Sequence, residues 1–273
     1  MSLDVTLKSP VVSVAWLHEN LTAKNLIVLD ATINKVFDNV LDQISDSRFF
    51  DIKKKFSDLL NPFPSAFPSV EQFQKEARAL GINNASAIVV YDDKGIYSSA
   101  RVWWMFKAFG HHNIAVLDGG FPAWNKAGFS TEKMKIYKGE SGDFIAQPQL
   151  GFMKFFNDVK DASKSKSHNI IDARSAGRFN GTVQEPREGL RMGTIPNSVN
   201  LPFTDLLKDG VLKSKKELAK AFYMVADIND DIIFSCGSGL TACVLALGAE
   251  ISGYKNISVY DGSWTEWGSL VEN

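Results

Sequence analysis

Short runs of large apolar residues recur along this chain, separated by longer stretches in which apolar and polar residues mix. The runs are Leu26-Ile27-Val28-Leu29, Ile88-Val89-Val90-Tyr91, Ile114-Ala115-Val116-Leu117, Ile170-Ile171, Ile232-Ile233-Phe234-Ser235 and Ile257-Ser258-Val259-Tyr260. Continuous rather than alternating hydrophobicity predicts strands covered on both faces, with Ile88-Val89-Val90-Tyr91 and Ile232-Ile233-Phe234-Ser235 as the central ones. Between strands, Ser98 or Ser99 offers an N-cap to a helix that presents Val102, Trp103, Met105, Phe106 and Phe109 and ends at Gly110. A matching helix is expected from about residue 241 to residue 253. Strand and helix in alternation predict an α/β fold with a mostly parallel sheet.

The pattern occurs twice. Gly110, Asp118 and Trp124 precede Gly253, Asp261 and Trp267 by 143 positions each, and the residues between them match as strand, aspartate-glycine turn and tryptophan. Asp30, closing Leu26-Ile27-Val28-Leu29, precedes Asp172 by 142 positions. A nearly constant offset indicates duplication. The expected architecture is therefore two tandem α/β domains, each a mostly parallel sheet flanked by helices, over residues 1–140 and 153–273 with a linker at 141–152. Residues 135–150 carry Gly139, Gly142 and Pro148 and few large apolar residues, so they read as the crossing between two cores, with the boundary near 145.

Composition narrows the functional classes. With 273 residues, 45% hydrophobic and 22% charged, the chain has enough apolar material for two cores, and disorder is excluded. A formal charge of −1 offers no electrostatic footprint for nucleic acid or an anionic membrane. Lys53-Lys54-Lys55 reads as a solvated helix face. Asn61-Pro62-Phe63-Pro64-Ser65-Ala66-Phe67-Pro68 reads as an extended surface loop, its phenylalanines packing on the first domain. No apolar stretch is long enough to span a membrane, and residues 1–10 lack the basic start and apolar centre of a secretion signal, so the cytosol is the expected compartment. Two cysteines exclude a disulfide framework, and with four histidines they show no metal-ligand spacing, which argues against structural zinc.

Candidate chemistry concentrates after the second central strand. Cys236-Gly237-Ser238-Gly239-Leu240-Thr241 places a thiol on a tight loop at a helix N-terminus. Gly237 and Gly239 let the backbone curl with its amides inward, and those amides together with the positive helix end favour anionic sulfur, the nucleophilic form. When the halves are aligned, Asp92 falls opposite Cys236, so only the second copy has a nucleophile there.

This asymmetry, and the run Cys236-Gly237-Ser238-Gly239-Leu240-Thr241-Ala242, resemble the rhodanese superfamily, and within it the tandem-domain 3-mercaptopyruvate sulfurtransferases. Arg101-Val102-Trp103-Trp104, Glu185-Pro186-Arg187, Asn200-Leu201-Pro202-Phe203 and Asp261-Gly262-Ser263-Trp264 extend the resemblance over nearly the whole chain. It implies transfer of sulfane sulfur through a Cys236 persulfide, from 3-mercaptopyruvate to a thiol such as reduced thioredoxin or to cyanide, with release of pyruvate and no organic cofactor or metal. It implies that Arg178 and Arg187 hold the substrate's carboxylate and keto group, and that Tyr97 reaches from the first domain over the pocket of the second. Thiosulfate-preferring relatives carry basic residues inside the loop, where this chain has Gly237 and Ser238. The chain departs from the family at Gln43-Ile44-Ser45-Asp46 and Gly193-Thr194-Ile195-Pro196-Asn197, where relatives have His-Ile-Pro-Gly and Gly-His-Ile-Pro-Gly.

Plainer readings stand beside these. Cys236 is also compatible with a small core residue, Ser238 with a turn residue or a proton relay, Thr241 with a helix cap, Cys243 with an inert core thiol or a resolving partner, the two arginines with surface ion pairs, and Tyr97 with an ordinary interface residue. Three rival functions remain: thiosulfate sulfurtransfer, a rhodanese-like phosphatase, and a non-catalytic binding module. A phosphatase needs an arginine closing a longer loop, and here the sixth and seventh residues after Cys236 are Ala242 and Cys243.

Overall fold

The computed structural model describes residues 4–35 and 41–272; residues 1–3 of the N-terminal segment considered above lie outside that range. The described residues fall into two compact units. One gathers those of Met1–Asp58, Phe67–Gln149 and Asp209–Leu212, and the other those of Leu59–Ala66, Leu150–Lys208 and Lys213–Asn273.

In chain order the first half contributes β1 (Val11–Val12), α1 (Val14–Asn20), β2 (Leu26–Asp30), β3 (Asp42–Ile44), β4 (Arg48–Phe49), α2 (Val70–Ala79), β5 (Ala87–Tyr91), α3 (Ser99–Ala108), β6 (Ile114–Leu117), α4 (Gly120–Lys126) and β7 (Thr131–Lys133). The second half contributes β8 (Met153–Lys154), α5 (Phe156–Ser165), β9 (Asn169–Asp172), α6 (Ala176–Phe179), β10 (Ser198–Asn200), β11 (Leu207–Lys208), β12 (Val211–Leu212), α7 (Lys215–Tyr223), β13 (Ile232–Ser235), α8 (Ala242–Ser252), β14 (Ile257–Tyr260) and α9 (Ser263–Leu270). The main sheets are built alike. The first runs β1-β6-β5-β2-β4 and the second β8-β14-β13-β9-β10, and every neighbouring pair in both is parallel. The duplicated sequence thus yields a duplicated topology.

Each central strand is buried along its length, as its unbroken hydrophobicity predicts. The helices that follow, α3 and α8, are also buried nearly all round, and both end where a glycine takes the left-handed conformation, Gly110 at φ 84° and Gly253 at φ 102°. Trp124 and Trp267, the tryptophans at the repeat's end, are equivalent anchors. Trp124 packs with Leu17, Val28, Val89 and Leu117, and Trp267 with Val159, Ile170, Ile233 and Tyr260. Asp46 and Asn197 adopt φ of 57° and 63°, a region that Asp and Asn tolerate better than other side chains.

Local details differ from the sequence expectations. Ser98 precedes α3 but does not cap it, because its hydroxyl donates to Ala31 O at 2.8 Å. Thr241 precedes α8 and makes no side-chain cap bond. Lys53-Lys54-Lys55 lies in a turn rather than a helix, with the Lys54 amide donating to Asp51 Oδ1 at 3.1 Å. Residues 142–149 run along the first unit: the amides of Gly142, Phe144, Gln147 and Gln149 donate to the carbonyls of Arg78, Ile82, Phe109 and Ala108. Phe144 fixes this strap by packing edge-on against Phe73 and Phe106, at centroid distances of 5.9 and 5.7 Å. Phe67 stacks on Phe109 at 4.8 Å in the same unit, whereas Phe63 lies in the segment grouped with the second.

Candidate active site

In the second sheet the chain leaves β9 toward β10 but leaves β13 toward β14, so the loops after these neighbouring strands diverge and open a crevice at their C-terminal ends. That is where parallel α/β sheets bind ligands. Cys236 is the first residue past β13 and only 1% exposed. The loop it begins is tied to the start of α9. Trp264 N–H donates to Cys236 O at 3.0 Å, and Gly237 O accepts from Thr265 N–H at 2.9 Å and Thr265 Oγ1 at 2.6 Å. The amides of Cys236 and Gly239 donate to Ser263 Oγ at 3.0 and 3.2 Å. Cys243, fully buried on α8, donates its thiol to Gly239 O at 3.3 Å. Among the described residues, the amides of Gly237, Ser238, Leu240 and Thr241 donate to no protein acceptor. The loop therefore presents a thiol beside a set of unengaged N–H donors at a helix N-terminus, an arrangement suited to an anion.

Positive charge reaches this loop through a buried chain of alternating sign. Asp172, at the end of β9, takes Arg174 Nε and Nη2 in a two-pronged pair, and Arg174 Nη1 donates to Glu185 Oε1 at 2.8 Å. Burial pushes the Asp172 carboxyl up from its ordinary value while Arg174 pulls it down. Glu185 in turn holds Arg178, accepting from Nη2 at 2.5 Å and from Nε at 3.2 Å. The Arg178 guanidinium lies against the loop, since a Cβ on Gly237 would stand 2.9 Å from its Nη2. Among the described residues only the Nε edge of Arg178 is engaged, which leaves the Nη1 edge for a ligand. The guanidinium groups of Arg174 and Arg191 each lie over the Trp264 ring, 4.6 Å from a ring centroid.

The structure thus brings Cys236, Ser238 and Arg178 together on one loop and its immediate neighbour. Arg187 is exposed, and its side chain makes no hydrogen bond or ion pair among the described residues. Tyr97 belongs to the first unit, where its amide donates to Asp92 Oδ2 at 2.8 Å. Asp92 follows β5 as Cys236 follows β13, and its carboxylate turns back into its own loop. Oδ1 accepts from Lys94 N–H at 2.9 Å, and Oδ2 accepts from Tyr97 N–H, Ser99 N–H and the Ser99 hydroxyl. Gln43 and Thr194, at the positions that the resemblance matches to histidines, are engaged locally: Gln43 Nε2 donates to Ser47 O and Glu132 Oε1, and Thr194 Oγ1 pairs with Ser198 Oγ at 2.9 Å.

Sequence reasoning singled out neither Arg174 nor Ser263 nor Thr265. A signal was available for Ser263, because the repeat offset of 143 aligns it with Gly120 and so puts a hydroxyl where the first copy has no side chain. Among the described residues, no group of three or more His, Cys, Asp or Glu is placed to hold a metal ion, and no helix is long and apolar enough to cross a membrane.

Comparison with known proteins points to one family. The rhodanese-like domain model matches residues 13–127 and again 156–270. The mitochondrial thiosulfate/3-mercaptopyruvate sulfurtransferase 1 of Arabidopsis thaliana is 39% identical over 97% of this chain and 77% of its own length. The 3-mercaptopyruvate sulfurtransferase of Homo sapiens is 40% identical over 82% of this chain and 76% of its own. The crystal structure of the 3-mercaptopyruvate sulfotransferase SseA from Escherichia coli superposes with a TM-score of 0.83 at 32% identity, covering 94% of this chain and 99% of that one. The chain belongs to the rhodanese family, with two rhodanese-like domains in tandem.

Proposed function

We propose that this chain is a sulfurtransferase that takes sulfane sulfur from 3-mercaptopyruvate, carries it as a persulfide on Cys236, and hands it to a thiol acceptor such as reduced thioredoxin or to cyanide. The observation that carries this reading is the open cradle. Cys236 sits beside four amides without protein acceptors, with the Arg178 guanidinium against the same loop.

In the first step Arg178 receives the substrate carboxylate on its Nη1 edge, and Arg187, exposed on the segment after Glu185, supplies the second cation. The Cys236 thiolate attacks the substrate's sulfur. The sulfur–carbon bond breaks, its electron pair leaves with the three-carbon fragment as an enolate, and a Cys236–S–S–H persulfide forms. Protonation of the enolate carbon gives pyruvate. The proton count closes with the donor's own thiol proton, which the ionising persulfide releases and the Ser238 hydroxyl passes on. Such a relay requires no first-domain histidine, consistent with the engaged Gln43 amide. The loop amides then stabilise the terminal sulfur anion. In the second step an acceptor thiolate attacks the outer sulfur, the S–S bond breaks, and Cys236 is restored as thiolate.

Thiosulfate is the second donor to consider, because the Arabidopsis relative's name includes it. The absence of cationic side chains at Gly237 and Ser238 favours the keto acid. A reducing compartment, in our reading the cytosol, keeps Cys236 available as a thiol. Mass spectrometry of the protein after exposure to 3-mercaptopyruvate is expected to show one added sulfur on Cys236, with pyruvate released, and loss of that sulfur on adding a thiol. Unchanged mass without pyruvate would favour a binding module, and faster turnover with thiosulfate would overturn the choice of donor.

A further inference from the structure

Ser263 is a residue that backbone geometry disfavours and that nevertheless lies at the centre of the loop. It is fully buried and adopts φ 50°, in the left-handed region where glycine is the usual occupant. The equivalent residue of the first copy, 143 positions earlier, is Gly120 at φ 54°. There a Cβ would stand 2.5 Å from the carbonyl oxygens of both Asp92 and Gly95. The same turn therefore excludes a side chain in the copy that carries Asp92 and contains one in the copy that carries Cys236.

The hydroxyl of Ser263 accounts for the difference. Its oxygen accepts from the amides of Cys236 and Gly239, the two ends of the loop's first half. Its single proton has two acceptors, Tyr260 O at 2.9 Å and Cys236 Sγ at 3.9 Å. We propose that Ser263 is a positioning residue for sulfur transfer: its hydroxyl folds the loop around Cys236 by binding the Cys236 and Gly239 amides, and turns its proton to the sulfur when that atom is anionic. In the first copy the Asp92 carboxylate organises its loop from within, and no such hydroxyl is needed. The proposal rests on Cys236 being the sulfur carrier.

The test compares Ser263→Gly and Ser263→Ala with the wild type. Glycine suits the left-handed backbone, which offsets part of the loss of the two amide bonds, so Ser263→Gly is expected to melt higher than Ser263→Ala, which loses the same bonds and retains the strain. Both variants are expected to lower kcat for pyruvate release by about 10- to 100-fold, with KM for 3-mercaptopyruvate changed less than about threefold, the signature of a group that organises the reacting atoms rather than donor binding. Both are also expected to slow alkylation of Cys236 by iodoacetamide at fixed pH by about tenfold or more. Wild-type kcat and alkylation rate in a folded Ser263→Gly protein would overturn the proposal. If the wild type itself released no pyruvate, the donor assignment would fail, and the alkylation comparison would still decide the role of Ser263.

Discussion

The loops after β5 and β13 begin at equivalent points of equivalent sheets and end at the starts of equivalent helices, yet one is filled and the other open. Asp92 supplies the first loop with its own anion, and that carboxylate takes the amides of Lys94, Tyr97 and Ser99. Cys236 supplies the second with a thiol too short to turn back in this way, and the amides of Gly237, Ser238, Leu240 and Thr241 stay without protein acceptors. A curl of inward N–H groups is structural when the chain provides its negative charge and chemical when the charge must come from outside. Duplication supplied two such curls, and the first residue of each, with the Ser263 hydroxyl beside the second, separates their uses.

The sharpest way to break this comparison is to exchange the residues. Cys236→Ser is expected to lower sulfur transfer by more than about a thousandfold while leaving the fold intact, because the change is nearly isosteric and removes only the nucleophile. Cys236→Asp should be as inactive and should melt no lower than the wild type, its carboxylate engaging the amides as Asp92 does. Pyruvate release and thermal denaturation read both, and a Cys236→Asp protein that failed to fold would show that the two loops are not interchangeable.

The converse change tests the filled loop. Asp92→Ala removes a buried acceptor of four hydrogen bonds and leaves three amides and the Ser99 hydroxyl unpaired inside the first unit. A loss of about 3 kcal/mol in unfolding free energy is expected by chemical denaturation. The equivalent loss for Cys236→Ala should be below about 1.5 kcal/mol, because no hydrogen-bonded network is broken. Equal losses at the two positions would remove the distinction drawn between the loops.

How much of this was legible in the sequence depends on the range of the interaction. The strands around Asp92 and Cys236 were legible because their unbroken apolar runs state their burial, and the repeat was legible because Gly110, Asp118 and Trp124 recur at a fixed offset. The glycines at 237 and 239 pointed to a curled loop. What the sequence did not disclose were contacts between distant segments. Ser263 meets the Cys236 amide across 27 positions, and Phe144 is tied to Phe73 and Phe106 across still longer stretches of chain, contacts that composition, which marked residues 135–150 only as the crossing between two cores, does not show. The role of Glu185 was hidden for a related reason. Its carboxylate, shared between Arg174 and Arg178, has meaning only once α6 and the segment after it are folded against β9.

The two units also differ in how their cations are committed, and this separates binding from chemistry. In the first, Lys35 pairs with the strand-end carboxylate of Asp30, and both side chains are buried. In the second, Arg174 satisfies the equivalent Asp172, which leaves one edge of Arg178 uncommitted beside the loop. Arg178→Ala and Arg187→Ala are each expected to weaken donor binding by roughly 1.5–3 kcal/mol, about a 10- to 100-fold rise in KM, with a smaller effect on kcat. Unchanged KM in the double variant would refute both as carboxylate ligands and place donor recognition elsewhere.

The smallest expected effect concerns the residues just before the two helices. Ser98 and Thr241 occupy matching positions, and neither caps its helix. The Ser98 hydroxyl donates to Ala31 O at 2.8 Å, tying the filled loop to the end of β2, so Ser98→Ala should cost about 1 kcal/mol of stability and leave sulfur transfer unchanged. Thr241 makes no such bond, and Thr241→Val should shift stability by less than about 0.5 kcal/mol. Its effect on turnover discriminates between two sources of anion stabilisation. If backbone amides supply it, the valine variant keeps its kcat within about twofold. A tenfold fall would mean that the threonine hydroxyl donates to the sulfur as well, and that the open loop relies on side chains where the filled loop relies on its carboxylate.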